Sequence, residues 1–407
     1  MGAGTPRRQE RTRAASSALR QLTDCGFSGK KWRVPIPLCG TDVRKPMEPR
    51  QQILEIPRAL RETLEKGRPE YDAVVRRTRW GEGPLYLCGC GASALVSLGG
   101  AYAFESLLGW PVVAREAKTF ESYALSVLRP RSVVLIISAS GEAPEALELA
   151  RAARARGATV LALTGTSDNA LARAADGAFL TRADPTDEAA TTAVCQHAAL
   201  IYVALAAAQV LKRHNPQWDL LEDEFEELPE RVEWALTQLS DAVRSLGAEL
   251  KGLGQFGVVG AGFYHAPAVR GAWRMKKLAA LHATGMNAAE FRSLEPVKAG
   301  HTFLLLSGSR AKMKRMVHEA AAQAKIAGAR ILSVTDSNDR ELLERSEVAV
   351  LLPTLMEPVG ATLTLALLEW LAVEASREPR RDHETARSKP LPGRAKDQNA
   401  GSQGKSE

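Results

Sequence analysis

Aromatic residues make up only 5% of the 407-residue chain, and there are just five cysteines. Cys25, Cys39, Cys88, Cys90 and Cys195 are odd in number, and three lie beside or within apolar segments. That excludes a disulfide scaffold and fits a reducing, cytoplasmic compartment. Cys88-Gly89-Cys90 is spaced too tightly for a usual zinc site and has no second pair, so neither a metal nor any other cofactor is expected. No uninterrupted apolar run has the length needed to span a bilayer. The richest, Ala198 to Leu211, reads as a buried helix. The first 46 residues hold arginines but no apolar core of a secretory signal. Basic, aromatic-interleaved stripes are missing too. The net charge of +7 comes from the ends: residues 1–50 carry 11 Lys/Arg against 4 Asp/Glu, and residues 377–407 carry 8 against 5. The stretch between is therefore slightly acidic, at −3, and neither nucleic acid nor a membrane is an expected partner.

What is present is a core-sized supply of apolar residues, 45% of the chain. The polar, Arg/Ser/Gly/Pro-rich residues 1–46 and the polar residues 377–407 read as disordered tails, and Met47 reads as an alternative start. Residues 47–80 are a helical lead-in, with Ile53, Ile56, Leu60 and Leu64 at helical spacing. Apolar strands then alternate with helices, as in a parallel sheet covered on both faces. The first series has strands near residues 85–88, 111–114, 133–137, 158–163 and 178–180, then a helix over 189–212. An acidic, proline-bearing break follows ("RHNPQWDLLEDEFEELPE"). One helix is expected over 230–250 and another over 266–280. Further strands are expected at 256–259, 302–306, 330–335 and 348–352, with a last helix over 360–375. "LYLCGCGASA" answers "FGVVGAGFYH", "VVLIISASGE" answers "FLLLSGSRAK", and "ATVLALTGTSDN" answers "ARILSVTDSND". The chain is a duplicated doubly wound α/β unit, with domains at 81–215 and 216–376.

"IISASGEAPEA" leaves a strand through Ser138, Ser140 and Gly141 and enters a helix. Free N–H groups at a helix start favour an anion, and two hydroxyls two residues apart can reach one phosphate. A plain N-cap would use one such serine equally well. "TGTSDN" adds hydroxyls at the end of the neighbouring strand, and ligands of open α/β sheets sit at those ends. "GCGASA" also fits a loose dinucleotide fingerprint with Glu116 as its distant acid, but the second unit breaks the pattern at His265. No G-K-[ST] follows a Gly-rich loop, which excludes a P-loop.

The twin units, with "SASGEA", "TGTSDNALARAADGAF" and "DEAATTAVCQHAAL", resemble the SIS (sugar isomerase) domain over about residues 47–376. The nearest likeness is to the isomerase half of glucosamine-6-phosphate synthase and related sugar-phosphate deaminases and deglycases. The resemblance implies a phosphorylated-sugar ligand held by Ser138, Ser140, Gly141 and Glu142, with Ser93 and Thr191 facing the sugar. It also implies a homodimer. Ala143 and Ala92 stand where the family has hydroxyls. The family's isomerase needs a general base and a ring-opening acid/base. The base position holds Lys277, within Arg274-Met275-Lys276-Lys277, and Ser293 replaces the ring-opening histidine. Glu290 and Glu295 are the candidate bases, with Lys277 polarising a carbonyl. His282 is expected within the helix carrying Lys277 and His265 at its entry, both as packed residues. "TARSK" offers Arg387 or Lys389 for a C-terminal lysine. Nothing ahead of Met47 resembles the synthase's glutaminase half. An isomerase or deaminase without glutamine-dependent amination is expected; the missing Glu and His favour the alternative, a non-catalytic phosphosugar sensor.

Overall fold

The computed structural model describes residues 47–186, 188–213, 215–291 and 297–376. The two terminal segments, Ser293, Glu295, Arg387 and Lys389 lie outside these residues.

Helices α1 (Pro49–Leu54), α2 (Ile56–Leu64) and α3 (Arg68–Arg77) open the described chain. The lead-in is broken at Glu55 because Pro57 suits only the first turn of a new helix. The first sheet contains β1 (Leu85–Gly89), β2 (Val112–Glu116), β3 (Val133–Ile137), β4 (Thr159–Thr164) and β5 (Gly177–Leu180). All its pairings are parallel, in the order β2-β1-β3-β4-β5. Strands β1 and β3 are buried at every position, as a doubly covered sheet demands. Helices α4 (Ser93–Leu108), α5 (Ala117–Tyr123), α6 (Pro144–Arg154) and α7 (Ala170–Ala174) lie between the strands, and α8 (Ala190–Val210) follows them.

Helices α9 (Gln217–Glu226), α10 (Leu228–Gln238) and α11 (Ser240–Lys251) lead into the second sheet. The acidic break is thus a helix over most of its length: Leu221 and Phe225 recur at helical spacing and are buried. The expected helix over 230–250 is two helices, divided at Leu239.

The second sheet contains β6 (Gln255–Gly260), β7 (His282–Asn287), β8 (Thr302–Leu306), β9 (Arg330–Asp336) and β10 (Val348–Leu352). Its order, β7-β6-β8-β9-β10, repeats the first. Its helices are α12 (His265–Ala279), α13 (Lys314–Ile326), α14 (Arg340–Leu343) and α15 (Glu357–Ser376). His282 therefore begins a strand and is exposed, contrary to its expected place in a helix; α12 ends where Ala280 turns left-handed at φ 53°. His265 does open α12.

Helices α8 and α15 are long and apolar enough, by length and composition, to cross a membrane, although polar residues interrupt both apolar runs. Each is 89% buried over its most apolar stretch, so both serve as core helices of the fold. Where α8 meets α15, His197 Nδ1 lies 2.9 Å from Thr362 Oγ1. Gly99 of α4 makes room for that ring: a Cβ there would stand 2.2 Å from His197 Nε2. Burial pushes the His197 pKa down to about 4, so the imidazole is neutral.

Candidate functional site in the first unit

Each parallel strand delivers its last residue to the same edge of the sheet, so loops from β1, β3 and β4 converge there. At the end of β3 the Ser138 N–H donates to the Leu163 carbonyl (3.1 Å), which extends the sheet by one residue. The serine is fully buried and its Oγ has no partner. Gly141 then turns left-handed, with φ 66°. A Cβ there would come within 2.1 Å of Asn169 Oδ1, so only glycine fits. The N–H groups of Ser140 and Gly141 make no bond within the described protein. Ser140 Oγ accepts the Glu142 N–H at 3.3 Å.

Asn169 is the brace beneath this loop. Its Nδ2 donates to Thr164 Oγ1 (2.9 Å) and the Thr166 carbonyl (2.7 Å), while Oδ1 caps α7 through the Ala172 N–H (2.8 Å). Glu142 is exposed, and its carboxylate accepts the Ala170 N–H at 2.8 Å. That bond ties the loop to α7. Ser93, the first residue of α4, is buried just after β1.

The segment after β5 runs over the same edge. A Cβ on Gly165 would lie 3.0 Å from the Ala139 carbonyl oxygen and 3.5 Å from Ala183 O and Pro185 Cα. Thr192 Oγ1 donates to the Asp184 carbonyl. Contacts thus run continuously from the serine loop to the start of α8. There Thr191 is 3% exposed and its hydroxyl also has no partner.

Lys277 reaches this segment from the last turn of α12, with Nζ 2.9 Å from Glu188 Oε1. The Glu188 carbonyl accepts from Arg274 Nη1 (2.6 Å) and Arg270 Nη2 (3.3 Å). Both guanidiniums are buried against Glu369 of α15, with Arg270 Nε 2.7 Å from Oε1 and Arg274 Nε 2.9 Å from Oε2. The first contact is an aligned hydrogen bond; the second is an ion pair by distance only, since the Arg274 N–H points off line. Gln52 Oε1 accepts from both Arg274 Nη2 (3.1 Å) and the Ala190 N–H (3.2 Å). Glu290 lies elsewhere, exposed in the turn after β7, where its charge acts on His265 and Tyr102.

The corresponding loop of the second unit has its own acids. Ser307 N–H donates to Val334 O at 3.1 Å, the counterpart of Ser138. Beyond it, Asp336 Oδ2 accepts the Ser309 N–H (2.6 Å) and Glu357 Oε2 the Lys312 N–H (3.1 Å). Arg310 pairs with Glu224 at 3.4 Å. A Cβ on Gly308 or Gly360 would fall 2.5 or 2.7 Å from the Tyr264 hydroxyl, so that phenol fills the space between them. Buried carboxylates thus take N–H groups of the second loop, whereas the Ser140 and Gly141 N–H groups of the first make no bond within the described protein. Ser307 Oγ, like Ser138 Oγ, has no hydrogen-bond partner among the described residues.

Among the described residues, no group of three or more His, Cys, Asp or Glu side chains is placed to hold a metal ion.

The profile of the SIS domain matches residues 81–208 and 254–374. The chain belongs to the SIS domain family. It is 29% identical over 348 residues to a glutamine–fructose-6-phosphate aminotransferase (isomerizing) of Thermococcus kodakarensis, covering 83% of this chain and 57% of that protein. The Aeropyrum pernix protein of the same name is 30% identical over 354 residues, covering 83% and 56%. The chain thus spans a little over half the length of these curated relatives. Among solved structures, the C-terminal domain of glucosamine-fructose-6-phosphate aminotransferase from Francisella tularensis superposes with a TM-score of 0.73 at 18% identity, covering 81% of this chain and 95% of that one. Tagatose-6-phosphate ketose/aldose isomerase from Escherichia coli gives 0.64 at 18% identity, covering 81% and 92%. These two likenesses carry the fold; the tandem SIS organisation, with homology to the isomerase half of the aminotransferase, agrees with the resemblance read from the motifs.

Proposed function

We propose that the first SIS unit binds the phosphate of an amino-sugar or keto-sugar phosphate. One observation carries this reading: the buried hydroxyls of Ser138 and Thr191 lack partners at a strand edge where the Ser140 and Gly141 N–H groups are also unsatisfied. Buried polar groups of native folds nearly always have a partner, whether protein, ordered water or ligand. A phosphate dianion offers acceptors to the Ser138 hydroxyl and the Ser140 and Gly141 N–H groups, and it is favoured beside the start of α6, with Thr191 on the sugar side. The names of the aminotransferase relatives support the sugar class. Ser93, Ser138, Ser140, Gly141 and Thr191 form the binding side, with Glu142 as the brace to α7. A homodimer is part of the proposal.

The chemistry we assign is aldose–ketose isomerisation or deamination. A second reading, a phosphosugar sensor without turnover, is favoured by Lys277 standing in the helix position where related isomerases carry a glutamate base. Calorimetric titration with glucosamine-6-phosphate and fructose-6-phosphate tests the binding claim. Saturable binding in the wild type, lost in Ser138→Ala/Ser140→Ala, supports it; no binding at millimolar ligand overturns it. A coupled assay for isomerase and ammonia-releasing activity separates enzyme from sensor.

A further inference from the structure

Neither carboxylate expected to act as base is joined by a described contact to the serine loop: Glu290 stands in the turn after β7, and Glu295 lies outside the described residues. A different carboxylate lies on the segment between β5 and α8, which reaches Gly165 at the same strand ends. We propose that Glu188 is the proton-transfer base of the first-unit site and that Lys277 is its paired acid.

Geometry motivates the assignment. Glu188 precedes Thr191, whose hydroxyl has no partner among the described residues, by three residues, on the segment whose Ala183 and Pro185 lie beside Gly165. Its backbone is fixed by two guanidiniums acting on one carbonyl, while its side chain is 55% exposed and, among the described residues, pairs with the Lys277 ammonium. A fixed backbone carrying an accessible carboxylate is what a proton-transfer group requires. Burying Arg270, Arg274 and Glu369 is costly, and the cluster's polar contacts converge on Glu188 O and the first turn of α8. These three are positioning residues. The lysine in α12 and the glutamate before α8 together supply a carboxylate–ammonium pair.

The step balances without any further reactant. In an open-chain aldose phosphate, the Glu188 carboxylate takes the proton from C2, and the C–H electron pair becomes the C1=C2 bond. The carbonyl pair moves onto O1, which takes a proton from the Lys277 ammonium. The resulting enediol returns its O2 proton to Lys277 as Glu188 delivers its proton to C1, and both groups are restored. The product is the ketose phosphate.

This inference rests on the phosphosugar reading above, and its test keeps the two apart. The full-length protein is incubated in D2O with fructose-6-phosphate or glucosamine-6-phosphate. Exchange at the carbons flanking the carbonyl is followed by proton NMR, and affinity is measured in parallel by calorimetry. The wild type is expected to exchange. Glu188→Gln should slow exchange by roughly 100-fold or more, the scale of a general base, with affinity nearly unchanged. Glu188→Asp should restore part of the rate. Lys277→Met should lower the rate with the fold retained. Binding without exchange in the wild type, or undiminished exchange in Glu188→Gln, overturns the inference and leaves the binding reading standing. Absence of binding overturns both.

Discussion

Ser138 and Thr191 bury hydroxyls that nothing in the described protein satisfies. Such a group contributes little to folding and can contribute strongly to a charged ligand, since a hydrogen bond to a charged group is worth about 1.5–3 kcal/mol. Ser138→Ala should therefore weaken phosphosugar binding by roughly 10- to 100-fold on that basis, while the unfolding midpoint stays level or rises. Calorimetry and denaturant unfolding on one preparation check both halves. The histidines give opposite pH signatures. His318 lies 2.6 Å from Asp339 and 2.9 Å from Glu341, and the Asp339 hydrogen bond raises its pKa above the usual histidine value. Its stabilisation is complete below the unfolded-state pKa, about 6.5, and is lost as pH rises through the raised folded value. His197 is held neutral by burial, so its contribution is intact above about 6.5 and is lost as pH falls toward about 4. Imidazole NMR titration should find His318 protonated, and His197 neutral, at pH 6; a single shared midpoint would contradict this. The serine pair was legible in the sequence because hydroxyls at the end of a continuous apolar strand break its pattern. Glu188 was not, because nothing in "DEAATT" announces a lysine that lies far along the chain.

Gly141 joins one residue to the behaviour of its whole loop. Its positive φ and its contact with Asn169 leave no space for a side chain. Gly141→Ala should disturb the loop and its bond to α7, with a loss of about 1–3 kcal/mol from the strained φ alone and a larger proportional loss of phosphosugar affinity. Unchanged affinity and stability would contradict the loop geometry. Among the helices, α12 and α15 share the buried Arg270–Glu369–Arg274 cluster. Glu369→Leu removes the buried carboxylate that faces both arginines and should cost about 3–5 kcal/mol, measured by chemical denaturation. Elements with strong apolar periods were legible: β1, β3, β8 and α8 fall within a few residues of expectation. Strand β7 was not, because "HATGMN" is an edge strand with no apolar run. Helix α9 hid behind its acids and flanking prolines; Pro216 and Pro229 sit at helix starts, where proline is tolerated.

At the scale of the molecule, one sequence unit folds twice into the same strand order with unequal chemistry. The duplication was legible from paired strand ends. The inequality was not, because Asp336 and Glu357 reach the N–H groups of the second loop only once β9 and α15 are packed beside it. Two equivalent folds therefore predict one ligand per chain. A crystal structure of the full chain with fructose-6-phosphate or glucosamine-6-phosphate tests this most directly. The account predicts a single phosphate per chain, bound by the Ser138 and Ser140 hydroxyls and the N–H groups of Ser140 and Gly141, with the second loop still bonded to Asp336 and Glu357. A phosphate in the second loop, or a sugar phosphate bound away from Ser138, would contradict it.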